Sequence, residues 1–214
     1  MEQKQEQEQP PFRVAIIGAG GQARETYAVI KILQERAKNI EFVGFYESLT
    51  TKTEFLGFPV KHISEFDPSL NYHVAIGDGE IRKMIVESLP EETSYVGIIH
   101  PSAMIGLDVH IGKGSFIGQG VIITESVKLG NFSNLNIGSS ISHDVKIGNY
   151  FTAAPGSRVL GGCEIGEVVY LGAASILRDK KTICDGTFIG MGSVVVSDIK
   201  TAGVYYGNPA RKKE

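Results

Sequence analysis

IGKGSFIGQGVIITESVKLGNFSNLNIGSSISHDVKIG, residues 111–148, repeats itself every six residues. Stepping by six from Ile99, the chain reads Ile99, Ile105, Ile111, Ile117, Ile123, Leu129, Leu135, Ile141, Ile147, Ala153, Val159, Ile165, Leu171, Leu177, Ile183, Ile189 and Val195. Sixteen of these seventeen positions are Val, Ile or Leu, and no insertion breaks the phase. The following position is Gly eight times, at 106, 112, 118, 130, 148, 166, 172 and 190. The position four after each aliphatic is mostly small or β-branched, as at Ser115, Val121, Ser133, Ser139, Val145, Ser157 and Cys163. A period of six is neither helical nor a two-residue strand alternation; it marks a parallel β-helix of hexapeptide repeats. Each hexad supplies one flat face and one corner of a triangular coil. The aliphatic points inward onto its equivalents in neighbouring coils, and glycine supports tight turning and close backbone approach. Three hexads close a coil, so residues 99–200 stack into a prism roughly 27 Å tall at about 4.8 Å per strand. A β-sandwich would instead show turn signals every ~8–12 residues.

Upstream of the repeat the pattern changes. Val14–Ile17 is an apolar strand ending in Gly18-Ala-Gly-Gly21, and residues 22–37 read as a helix. Strands follow at 40–46, 57–60, 72–76 and 95–99, with a helical turn near Ser64 and a helix over 81–89 stopped by Pro90. Strands alternating with helices predict a parallel α/β sheet. The expected organisation is a Gln/Glu-rich tail at 1–11, an α/β domain over 12–98, the β-helix over 99–200 and a C-terminal tail over 201–214.

Composition narrows the function. The formal net charge is −3, so no basic field draws the chain to nucleic acid or anionic membrane. Glycine takes 26 of 214 positions, about 12% against an average near 7%, and the repeat accounts for the excess. The sequence has no signal-peptide core and no run near the ~18 apolar residues of a membrane helix. A cytoplasmic protein with free thiols at Cys163 and Cys184 is expected. The histidines at 62, 73, 100 and 110 show no metal-ligand spacing, read as structural or surface residues, and imply no metal.

Gly18-Ala-Gly-Gly-Gln-Ala23 after a strand nearly matches a phosphate-binding fingerprint, in which N–H groups at a helix start hold phosphate. Residues 12–97 are too few for two βαβαβ halves, so a half-Rossmann-like domain for a mononucleotide diphosphate is expected and a dehydrogenase is disfavoured.

The chain resembles the sialic-acid O-acetyltransferase-like hexapeptide sugar acetyltransferases, and within them the nucleotide-aminosugar N-acetyltransferases of the bacillosamine, perosamine and viosamine type. The resemblance rests on Ile17-Gly-Ala-Gly-Gly21, Ala75-Ile-Gly-Asp-Gly-Glu-Ile-Arg82, Ile99-His-Pro-Ser-Ala103, Asn136, Ile141-Ser-His-Asp144, Ala154-Pro-Gly156 and Gly207-Asn-Pro-Ala-Arg211. It implies a left-handed β-helix, acetyl-CoA as co-substrate and a nucleotide-linked amino sugar as acceptor. It also implies His143 as general base, a role that suits imidazole because free histidine titrates at ~6.5, with Asp144 orienting the ring. Asn136 would contact the sugar. Gly20, Gly21, Gln22 and Glu47 would hold the nucleotide, with Gly77, Asp78 and Arg82 at the same crevice edge. Corner stabilisation for Asn136, turn chemistry for Gly77-Asp78 and a solvated helix face for Arg82 are the competing readings. Gly161, Gly172 and Ala173 would line the pantetheine groove between subunits. Two departures stand out: Gln22 and Thr152 occupy positions where many members carry histidine. At 152 that histidine is thought to contact the acetyl carbonyl, and a threonine hydroxyl retains one hydrogen bond to donate.

Apolar residues outside the inward phase, among them Phe116, Ile122, Phe132, Tyr150, Val168 and Tyr170, predict a homotrimer packed through prism faces. The alternatives are an O-acetyltransferase acting on a sialic-type sugar and a non-enzymatic trimeric scaffold.

Overall fold

The computed structural model describes residues 10–37, 39–48 and 52–214; most of the expected N-terminal tail lies outside them. In chain order the first part comprises β1 (Phe12–Ile17), α1 (Gly21–Arg36), β2 (Ile40–Glu47), β3 (Glu54–Phe55), β4 (Phe58–His62), β5 (Asn71–Val74), α2 (Gly79–Ser88) and β6 (Ser94–Tyr95). The sheet order is β3-β4-β2-β1-β5-β6, parallel except for the β3–β4 hairpin. Val14, Ala15, Ile16 and Ile17 are at most 2% exposed, as an unbroken apolar strand covered on both faces should be. Strand β2 lies on one side of β1 and β5 on the other, which leaves a crevice at their carboxyl ends, where such sheets bind ligands. The sequence reading has no β3. Its hairpin turns through Leu56 and Gly57, both at positive φ, and leucine at the first of these positions carries no turn signal.

The sheet ends at Tyr95, and after Gly97 the strand Ile98–Ile99 opens the first coil. Two-residue strands then pair in parallel at a register of eighteen, for example Phe116↔Asn134 and Ile117↔Leu135. One face runs through Ile98, Phe116, Asn134, Thr152, Tyr170 and Phe188; a second carries Met104 to Val194; a third carries His110 to Thr182. The parallel β-helix stands as read, and from Ile117 to Val195 every inward aliphatic of the hexad phase is buried. Coil volume is conserved by exchange: where Ala153 replaces the aliphatic, Phe151 fills the neighbouring small-residue position, and both are 0% exposed. Among the described residues no coil lies below the first one, and Ile99 and Ile105 are 37% and 40% exposed.

The structure separates two glycine tasks that the sequence reading merged. Gly112, Gly130 and Gly148, directly after the aliphatic, lie so close to the next coil that a Cβ would meet its backbone within 3 Å. Positive φ belongs instead to the third position after the aliphatic, at every corner from Asp108 to Gly192 in steps of six. Several of these corners are not glycine, Phe132, Asp144, Tyr150, Val168 and Ala174 among them.

Two of the apolar residues expected at a trimer face are covered within the chain itself. Phe116 and Phe132 are only 4% and 3% exposed, because the chain's own α/β domain covers them. Phe116 joins that domain's core, and Phe132 packs between Tyr95 and Tyr150. Ile122, on the second face, remains 41% exposed. The expected C-terminal tail is also built in: Gly203–Tyr206 extends the first face and pairs antiparallel with Arg211–Lys212. Among the described residues no helix is long and apolar enough to cross a membrane.

Candidate active site

The glycine loop after β1 is shaped by its neighbours. Gly18 has φ +116, and a Cβ there would meet the Ala75 carbonyl at 2.9 Å, so only glycine fits. The Glu47 carboxylate accepts a hydrogen bond from the Ala19 N–H at 2.8 Å, and Lys52 Nζ donates to the Ala19 carbonyl at 3.0 Å. Glu47 therefore braces the loop; it also lines a cavity of about 340 Å³ with Gly18, Ser48, Ile76 and Ile81. A Cβ on Gly20 would meet nothing within 4 Å, so the loop is open there.

A cleft of about 760 Å³ lies between the sheet and the first face of the β-helix. Gly21, Gln22, Glu25, Gly77 and Asp78 form one wall; Asn136, Thr152, Ala154, Pro155, Tyr170 and Phe188 form the other. Several expected substrate contacts are thus brought together although they lie far apart in sequence. Asn136 is 9% exposed, and its Nδ2 donates to the Ala153 carbonyl at 3.2 Å. Asp78 caps α2, accepting from the Ile81 N–H at 3.0 Å, which is turn chemistry performed at the cleft edge. Tyr170 and Phe188 stack with ring centroids 4.6 Å apart. The sequence reading gave them no binding role, although the spacing of eighteen along one face was a usable signal. A second groove of about 410 Å³, holding Gly172 and Ala173, shares Ala154, Pro155, Tyr170 and Phe188 with the cleft.

Arg82 does not face the crevice. It is 1% exposed, and its guanidinium donates to the carbonyls of Phe132, Tyr150, Phe151, Ile76 and Gly77. Burial pushes its pKa down to about 10, which leaves it charged at neutral pH. The carbonyl oxygens replace the water it has lost. Thr152 is 2% exposed and its hydroxyl donates to the Gly77 carbonyl at 3.0 Å, so the hydrogen bond expected for an acetyl carbonyl is already committed.

His143 stands elsewhere, at the corner between the second and third faces, and is not among the residues lining the cleft. Its Nδ1 lies 2.8 Å from Asp144 Oδ2, and both side chains are 68% exposed. A carboxylate only accepts, so Nδ1 carries a proton, and it is the neutral form of the ring that then offers a lone pair at Nε2. The ring lies over Gly161, one coil on, where a Cβ would meet its Cε1 at 2.6 Å. Asp144 sits at φ +60, a left-handed corner that aspartate tolerates better than most residues. His73 is buried, with Nδ1 at 3.0 Å from the Val96 carbonyl, and burial lowers its pKa to about 4.

Residues 13–89 match the family model described as the PglD N-terminal domain. The fold superposes on a variant of perosamine N-acetyltransferase from Caulobacter crescentus, solved with CoA and GDP-perosamine. The TM-score is 0.84 and the identity 29%, over 94% of this chain and 96% of that one. This chain is similar to sugar N-acetyltransferases. The acetyltransferase domain of PglB from Neisseria gonorrhoeae, in complex with acetyl coenzyme A, also matches at a TM-score of 0.84 and 26% identity, over 95% of this chain and 100% of that one. UDP-N-acetylbacillosamine N-acetyltransferase of Bacillus subtilis is 25% identical over 108 residues, 49% of this chain and 50% of that relative. The sequence match thus spans half the length of that curated relative, whereas the structural matches span nearly whole chains. The acetyltransferase resemblance read from the sequence is the one the relatives share.

Proposed function

We propose that this chain transfers the acetyl group of acetyl-CoA to the amino group of a nucleotide-linked amino sugar, with a 4-amino-4,6-dideoxy sugar as the favoured acceptor. The observation that carries the reading is the His143–Asp144 pair: Asp144 holds the imidazole in the tautomer that leaves Nε2 free, as a general base requires. The neutral amine attacks the thioester carbon. As the N–C bond forms, Nε2 takes the amine proton; the C–S bond then breaks and the imidazolium returns the proton to the leaving thiolate, giving CoA thiol. Cys163 takes no part: it is buried, and burial raises its pKa. In this reading residues 12–98 hold the nucleotide at Gly20–Gln22 and Gly77-Asp78, while residues 99–200 carry the chemistry. Relatives solved with CoA and with GDP-perosamine support both substrates.

His143 lies outside the cleft of its own chain. A homotrimer packed through the second face, where Met104 and Ile122 are 65% and 41% exposed, would bring one protomer's His143 to its partner's cleft. Acetyl-CoA would then lie between them along Gly161, Gly172 and Ala173. Cytoplasmic work on sugar precursors of a surface glycan suits these substrates. The test is acetyl-CoA-dependent thiol release against UDP-, TDP- and GDP-linked amino sugars, with the matching hydroxyl sugars alongside. Turnover of an amino sugar is expected; turnover of hydroxyl sugars alone, or of none, overturns the reading. Sedimentation at micromolar concentration should give a trimer.

A further inference from the structure

Arg82, Thr152 and Gly79 meet at the seam between α2 and the β-helix. Arg82, on α2, reaches across it: Nε donates to the Phe132 carbonyl at 2.7 Å, and Nη2 to the carbonyls of Tyr150 at 3.0 Å and Phe151 at 3.1 Å. The same Nη2 donates to Thr152 Oγ1 at 3.1 Å, and Thr152 donates its one hydroxyl proton back to the Gly77 carbonyl at 3.0 Å. Nη1 donates to the Ile76 and Gly77 carbonyls. Gly79 closes the seam, since a Cβ there would meet the Tyr150 carbonyl at 2.5 Å. Arg82 and Thr152 are only 1% and 2% exposed, so solvent competes little for these bonds.

The loop that this knot grips, residues 76–79, supplies part of the cleft's α/β wall, and Thr152 itself belongs to the opposite wall. The separation of the walls is therefore set at the seam. We propose that Thr152 and Arg82 are positioning residues, which fix the 76–79 loop against the β-helix and so set the cleft's width. Thr152 does not polarise the thioester carbonyl. The role differs from the one the family resemblance implies for position 152, and it follows from the proton count: a hydroxyl has one proton to donate, and Gly77 has it. The proposal rests on reading the cleft as the sugar-nucleotide site. The two roles leave opposite kinetic signatures, because a loosened binding wall raises KM whereas a lost carbonyl donor lowers kcat.

The test compares Thr152→Val, which keeps the shape and removes the hydroxyl, with Thr152→Ser, which keeps the hydroxyl. Two readouts are taken: steady-state kinetics against both substrates, and amide hydrogen exchange of residues 77–80. For Thr152→Val the expected result is a roughly tenfold rise in KM for the sugar nucleotide, with kcat within about threefold and KM for acetyl-CoA unchanged. Exchange at 77–80 should quicken at least about tenfold while coils 117–195 stay protected. Thr152→Ser should return both readouts to within about twofold of the parent. A kcat loss of about 100-fold at unchanged sugar-nucleotide KM would make Thr152 the carbonyl donor and overturn the proposal; unaltered exchange would overturn it equally. Should the parent protein acetylate no nucleotide amino sugar, the functional reading fails. The exchange experiment, which needs no turnover, then still decides whether Thr152 holds the loop.

Discussion

Gly161→Ala tests His143 without replacing it. A methyl group built at Gly161 would lie 2.6 Å from His143 Cε1, 2.7 Å from Nε2 and 3.1 Å from Nδ1, and these are its three nearest atoms. Ordinary contact begins near 3.4 Å, so the ring must move by about 0.8 Å. It is free to do so, since the side chain is 68% exposed. The fold should barely notice: Gly161 is buried, but the nearest atoms belong to an exposed side chain that can move, so the cost should stay at about 0.5 kcal/mol, or roughly 2 °C in Tm. Catalysis should notice, because misplacing a reacting group by ~1 Å costs on the order of 10²-fold. Losing the 2.8 Å bond to Asp144 would also release the tautomer. We therefore expect kcat to fall about 100-fold with a near-native Tm. Gly161 also stands on the expected pantetheine path, so a double-mutant cycle is needed to separate the two effects. If the methyl acts through the ring, His143→Ala with Gly161→Ala should be no slower than His143→Ala alone, which should itself lose about 10²–10⁴-fold. Additive losses, or a single Gly161→Ala variant keeping more than about a third of parental kcat, would refute this reasoning.

Two further predictions concern stability. His73 has its folded pKa lowered from 6.5 to about 4 by burial, so the folded chain keeps it neutral where the unfolded chain takes up a proton. Its contribution is complete above pH 6.5 and is lost as the pH falls toward 4, by about 3 kcal/mol in all. His73→Gln, which can keep a donor to the Val96 carbonyl, should flatten urea-unfolding stability between pH 7 and 4.5, and an unchanged slope would reject the assignment. At one corner column, Gly156 has φ +68 with nothing within 4 Å of a Cβ, and Ala174 has φ +56 and is exposed. Gly156→Ala should lower stability by about 1 kcal/mol and Ala174→Gly should raise it by up to about as much. Equal signs in chemical denaturation would show that corner φ is not the controlling factor.

The β-helix was legible because it is quasi-one-dimensional: each coil touches only its neighbours, so every hexad repeats the same instruction. Ile117 and Leu135 needed nothing beyond the residues eighteen places away to settle their direction. The strands and helices of the α/β sheet were legible through apolar runs and glycine punctuation, and the His143-Asp144 pair through adjacency alone. What the tertiary structure decided are the contacts made between the two parts. Arg82 and Tyr150 are 68 positions apart, and no window of sequence shows that a helix-surface arginine ends up buried among carbonyls. Phe116 and Phe132 read as an oligomer face until the chain's own α/β domain covered them. Thr152 read as a free hydroxyl until Gly77 came within reach of it. Periodicity reports which way a residue points from its own coil; whether that direction meets water, another protomer or the same chain depends on how separate elements pack, which is a property of the whole fold.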